Sequence, residues 1–155
     1  MPKKSKLTIS SIIKDRKSVR GFLNKKVPLN KIKKIFELAQ HAPSNCNIQP
    51  WFSFISSGKS IKNLSKKFLS AHTKKIKPNP DYKYPANFRF DIVYLSRQVN
   101  SAKTLYDSME INRNDKKKRE KAFLMNYKFY NAPHVCFIGM NKNFSSSIAI
   151  DVGIY

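Results

Sequence analysis

The sequence predicts an α+β fold, and three observations predict it. Two apolar, aromatic-bearing runs, Trp51–Ile55 and His134–Met140, have the length and composition of strands. The segments around them carry apolar residues three and four apart, the spacing of helices packed by one face. Apolar residues make up 41% of the 155 and aromatic residues 12%, too many for a disordered polypeptide and enough for a core within one domain, 1–155.

In chain order, Thr8, Ser10 or Ser11 caps a first short helix that carries Ile12 and Ile13 inward and runs out near Lys17. There stands Arg16-Lys17-Ser18-Val19-Arg20, with two guanidiniums and a hydroxyl within five residues. A helical turn would set Arg16 and Arg20 on one face, and Arg offers a planar fork of donors that matches phosphate oxygens. Read alone, the five are equally what solvated surface charges look like in a Lys/Arg-rich chain. Gly21 permits a turn, and Pro28-Leu29-Asn30 introduces a second helix with Ile32, Ile35, Phe36 and Ala39 in one stripe, stopping before Pro43.

The stretch Ala42–Pro50 is a polar loop bounded by prolines, with Ser44, Asn45, Asn47 and Gln49 between them, mounted on the strand Trp51–Ser56. Gly58 and Ser60 lead into a third helix carrying Ile61, Leu64 and Phe68, read as a core-covering element. Ile76–Pro85 holds Pro78, Pro80 and Pro85 and reads as an extended loop, either a surface loop or a lid on the substrate side. Val99, Ala102, Leu105, Tyr106 and Met109 place a helix within Phe88–Ile111. After the turn Asn112–Asp115, Asp115 caps a further helix whose Lys116, Lys117 and Lys118 oppose the helix dipole. Following the second strand, Ser145, Ser146 or Ser147 caps a last helix with Ile148, Val152 and Tyr155 on one face.

Two of these stretches carry a resemblance. Arg16, Ser18, Arg20 and Phe22 give an R-x-S-x-R-x-F pattern at a helix end, and Ala42, Pro43, Ser44, Asn47, Gln49, Pro50 and Trp51 give an A-P-S-x-x-N-x-Q-P-W loop after the next helix. In that order they resemble the flavin-dependent nitroreductase family. The resemblance implies a nitroreductase-like central mixed β-sheet flanked by helices, completed by homodimerisation. It implies FMN with its phosphate at Arg16, Ser18 and Arg20, helped by Lys17, and with Pro43, Ser44, Asn45 and Asn47 approaching the ring from the other subunit. Asn126 and Lys128, just before Ala132-Pro133, match positions from which the family reaches the flavin ring and ribityl chain. No side chain is catalytic on this reading: NADH or NADPH delivers hydride to flavin N5, and a small electron-poor acceptor such as a nitroaromatic or quinone takes it. The family's last-helix pattern is entered at Asp151 and Gly153, so the chain reads as incomplete at its C-terminus, about two-thirds of a typical member.

What is missing narrows the alternatives. The four glycines make no G-x-G-x-x-G, Walker or G-x-S-x-G pattern, which leaves a cofactor to do any redox chemistry. Cys46 and Cys136 form no C-x-x-C; Cys46 is either near a cofactor or a partly buried filler. His41, His72 and His134 have no metal-ligand spacing and read as structural, so no metal is expected. No run approaches the ~20 apolar residues of a membrane span, and Met1–Lys6 with Leu7–Ile13 does not make a secretory signal, so a cytoplasmic protein is expected. The formal charge, 31 − 9 = +22, raises a rival reading as a basic nucleic-acid-binding module. Against it, the basic residues are mostly Lys, scattered along the chain, and Trp51, Phe52 and Phe54 sit in an apolar run without interleaved cations. A further alternative keeps the fold but serves flavin processing or dehalogenation.

Overall fold

The computed structural model describes residues 8–81 and 91–155; Met1–Lys6, positions 82–85 of the proline-bearing loop and positions 88–90 of the anticipated fourth helix lie outside them. Among the described residues six α-helices, α1 (Ile9–Asp15), α2 (Leu29–Ala39), α3 (Lys59–Thr73), α4 (Ile92–Asp107), α5 (Lys116–Leu124) and α6 (Ala149–Ile154), accompany two strands, β1 (Trp51–Ser57) and β2 (His134–Met140). The α+β class is as the sequence predicts. Among the described residues the sheet is one antiparallel pair, in register from Trp51 opposite Met140 to Ser57 opposite His134, and no parallel pair of a mixed sheet is present.

The helix ends follow their local chemistry. Thr8 and Ser11 form a capping box at α1, each side-chain oxygen accepting from the other's backbone N–H at 3.1 Å. Asp115 accepts from the Lys118 N–H at 2.9 Å and draws the Lys118 ammonium to 3.8 Å, which offsets the cationic first turn of α5. Three helical stretches end in Schellman turns with non-glycine residues in the left-handed position: Lys75 (φ 53°) after α3, Glu110 (φ 54°) after α4 and Phe129 (φ 51°) after α5. At α4 the Ile111 N–H reaches the Tyr106 carbonyl at 2.9 Å and the Glu110 N–H reaches that of Asp107 at 3.0 Å.

Packing concentrates on two clusters. Trp51 is buried and stacks on Tyr155, ring centroids 4.8 Å apart, joining β1 to the end of α6. On the other side Phe68 and His72 of α3 meet Phe123 of α5 and Tyr127, while Phe129 lies at 6.0 Å from Phe137 of β2. So α3 contributes to the aromatic core as well as covering it. Arg119 lies 5.2 Å over the Tyr106 ring and ties α5 to α4. Ile12 and Ile13 do not point inward: both are exposed, as is Ile35 of the α2 stripe, because α1 buries no residue and of the α2 stripe only Ile32 is fully covered. Cys46 is also exposed, which corrects the partly buried filler among its two anticipated roles.

Candidate functional site

The loop from Ala42 to Pro50 is built backwards from its ends. Leaving α2, it is extended at Ser44 (φ −145°, ψ 157°) and then makes a single left-handed turn through Cys46 (φ 49°) and Asn47 (φ 56°), with Gln49 (φ 44°) also left-handed. Asn tolerates that region; Cys and Gln enter it only at a cost of about 1–2 kcal/mol each, which surrounding contacts must offset. The contacts are visible. Ser44 Oγ accepts from the Gln49 N–H at 3.0 Å, the Ser44 carbonyl from the Asn47 N–H at 3.1 Å, and the Asn45 carbonyl from the Ile48 N–H at 3.1 Å. From α6, Asp151 Oδ2 accepts from the Asn45 N–H at 3.0 Å. Buried Pro50 and Trp51 close the far end, and Trp51 Nε1–H donates to Gln40 Oε1 at 3.1 Å.

The N–H groups of Asn45, Asn47, Ile48 and Gln49 are therefore held within the protein while Pro43, Asn45 and Asn47 stand exposed, with Ser44 half-buried. Ser44 keeps its own O–H to donate even as its oxygen accepts from Gln49. The loop presents short amide and hydroxyl donors on a rigid mount.

Arg16, Lys17, Ser18 and Arg20 do not sit on a helical turn. The helix stops at Asp15, and Arg16 is already extended (φ −60°, ψ 122°). Arg16 to Arg20 lie in neither helix nor strand, so a common reach of Arg16, Ser18 and Arg20 to one ligand would not come from a helical face. All four are exposed and, among the described residues, neither guanidinium has a carboxylate or carbonyl partner. Their segment is fastened where the Val27 N–H donates to His134 Nε2 at 2.9 Å, which gives His134 the structural role anticipated for it.

His134 opposes Ser57, at the end of the ribbon away from Trp51 and its loop. Within one chain the loop is thus mounted at one end of the seven-residue strand pair, and Val27, seven residues beyond Arg20, is fastened at the other. No hydrogen bond or ion pair joins the two candidate stretches among the described residues.

Asn126 and Lys128 lie in the turn before β2. Asn126 is committed within the protein on two sides, Nδ2–H donating to the Phe123 carbonyl and Oδ1 accepting from the Tyr130 O–H, both at 2.8 Å, which leaves one N–H and one lone pair for a ligand. Lys128 is exposed at the rim of a cleft of about 450 Å³ floored by Met109, Ile111, Leu124 and Met125. What sequence reading missed is the support behind the loop: Asp151, Gln40 and Tyr155. The signals were the family's last-helix pattern, entered at Asp151, and the four-residue step from Asp151 to Tyr155, which puts both on one helix face.

Among the described residues no group of three or more His, Cys, Asp and Glu could hold a metal ion, and no helix is long and apolar enough to cross a membrane.

A family model described as the nitroreductase family matches residues 13–154. The nitroreductase NfnB of Mycolicibacterium smegmatis is 33% identical over 144 residues, covering 93% of this chain and 61% of that protein. The chain superposes with TM-score 0.86 and 32% identity on the crystal structure of the FMN-dependent nitroreductase NfnB from Mycobacterium smegmatis in complex with NADPH, covering 94% of this chain and 64% of that one. The FMN and NADPH-dependent nitroreductase NfnB from Sphigopyxis sp. strain HMH gives 0.88 at 29% identity, covering 96% and 66%. The chain thus spans about three-fifths to two-thirds of the length of these relatives.

Proposed function

The chain belongs to the nitroreductase family, and from that premise we propose that it serves an FMN-dependent oxidoreductase passing hydride from NADPH or NADH to an electron-poor acceptor such as a nitroaromatic or quinone. The observation that carries the proposal is the pairing of two carboxylate-free arginines with a loop whose backbone is locked and whose donor side chains are left outward. FMN, when bound, supplies a hydride-accepting ring that none of the protein's side chains can replace.

The residues present fit such a group. A phosphate dianion needs several donors of positive charge, and Arg16, Arg20, Lys17 and Ser18 provide them without having to break an existing ion pair. Pro43, Ser44, Asn45 and Asn47 would meet the ring edge, and Asn126 with Lys128 the remaining polar positions. Donors and cations fixed near a ring that gains negative charge favour its reduced state, and they need no reorganisation because the loop is already held. Homodimerisation is part of the proposal: the loop that meets one flavin would come from the partner copy. A cytoplasmic location, where reduced nicotinamide is at hand, belongs to it as well.

The full-length protein should purify yellow with flavin absorbance, and Arg20→Ala should release the FMN. Colourless protein indifferent to added FMN would count decisively against the proposal.

A further inference from the structure

We infer that Asp151 is a positioning residue for the ligand loop, holding its left-handed turn in the conformation that presents Ser44, Asn45 and Asn47 outward. The carboxylate is only 9% exposed, in a chain of +22 that offers solvated cations everywhere, yet its partner is a backbone N–H. A buried carboxylate is costly unless it is well hydrogen-bonded, so its place on the inner face of α6 calls for a reason, and the Asn45 N–H at 3.0 Å supplies one.

The bond falls at a telling point. Asn45 is the last residue before the chain turns left-handed at Cys46 and Asn47, and among the described residues its N–H makes the one hydrogen bond from residues 44–49 to a side chain outside the loop. Ser44 Oγ and the Ser44 carbonyl act within the loop; Asp151 is what refers the loop to the rest of the fold. One turn further along α6, Tyr155 does the same for the loop's other end, stacking on Trp51 and taking the Ser53 O–H at 3.2 Å. The helix therefore grips the loop at both ends. Its two gripping side chains sit four apart, so a change at Asp151 loosens one grip and leaves the other.

The inference rests on the reading of loop 42–50 as an FMN-contacting loop, but its structural half does not need FMN. Asp151→Ala, Asp151→Ser and Asp151→Asn would be made in the full-length protein and followed by amide hydrogen exchange across residues 44–49 without flavin, and by FMN titration through quenching of flavin fluorescence. Asp151→Ala and Asp151→Ser should speed exchange of the Asn45 amide about tenfold or more and weaken FMN binding by about tenfold, while Asp151→Asn, whose amide oxygen still accepts, stays within about threefold of the parent in both.

Unchanged exchange at Asn45 in Asp151→Ala would overturn the inference, whatever FMN does. Equal loss in the Asn variant would also overturn it, because charge and not an acceptor at that position would then be what matters. Loss of the circular dichroism of the fold in both the Ala and Ser variants would overturn it too, since the residue would then serve the whole domain. A parent protein that binds no FMN but shows the predicted exchange pattern would sink the cofactor reading alone.

Discussion

Opposite Phe52 the partner strand carries Gly139, and a Cβ built there would lie 2.7 Å from Phe52 Cε2. The ring fills the space a side chain would take, tilted edge-on to Phe54 at 5.4 Å. Gly139→Ala must push the ring away, and because Phe52 is already half exposed the cost should stay near ~1 kcal/mol, growing to ~2 for Gly139→Val. Urea unfolding of Gly139→Ala in the Phe52 and the Phe52→Ala backgrounds measures it; a coupling below about 0.3 kcal/mol would mean that the ring does not set the requirement. At this scale the sequence is read best where a residue's chemistry is its role. Arg16, Ser18 and Arg20 stand out as donors whatever the backbone does, and Asp115 as a cap because its carboxylate needs only the local N–H of Lys118. The supporting role of Asp151 is hidden for the opposite reason. The family pattern marks the position, but its partner is 106 residues away and nothing in local spacing announces the contact.

Helix and strand identities follow from periodicity, and the ends depart from it where turns intervene. The helix anticipated as far as Ile111 ends at Asp107, because Glu110 turns left-handed and returns the Ile111 N–H to Tyr106. A Schellman turn is legible when glycine marks it; here Lys75, Glu110 and Phe129 occupy the position, so the signal is absent. That substitution has a measurable consequence. Lys75 is exposed and makes no hydrogen bond through its side chain among the described residues, so Lys75→Gly removes the left-handed strain at little other loss. It should raise stability by about 0.5–1 kcal/mol and the melting temperature by about 2 °C. Lys75→Ala, which keeps a Cβ, should gain nothing. A fall in melting temperature for the glycine variant would show that the Lys75 stem packs usefully. The inward placement of Ile12 and Ile13 fails for a related reason: periodicity tells which face of α1 is apolar but not what covers it, and α1 buries no residue.

α1 and the stretch after it expose apolar side chains, Val19, Leu23 and Leu29 among them, of the kind that a second copy would cover under the dimer proposal. Sedimentation of the full-length protein should give a dimer at micromolar concentration, and Ile13→Glu should shift it toward monomer with FMN released in parallel. Monomer that keeps its FMN would detach the cofactor from the interface.

The charge of +22 makes a second claim on the whole molecule, since among the described residues Lys118–Asp115 is the one ion pair and the remaining cations face solvent. Such a field draws any anion, and the arginine clamp differs from the field in being local. FMN and riboflavin share a ring and differ in the phosphate, so the affinity gap between them isolates what clamp and field contribute together. Salt separates the two: a field acting over many ångströms is screened when the Debye length falls from about 14 Å near 0.05 M to about 4 Å near 0.5 M, whereas bidentate contacts survive. FMN binding should therefore weaken by no more than about tenfold across that range and retain a clear preference over riboflavin, a preference that Arg20→Ala abolishes. If the preference instead vanishes with salt in the parent protein, the phosphate is held by bulk charge alone. Duplex DNA bound at micromolar or tighter affinity near 0.15 M salt would then make polyanion binding the better account of the charge, because a scattered cationic surface without a nucleic-acid groove should lose the duplex at that ionic strength.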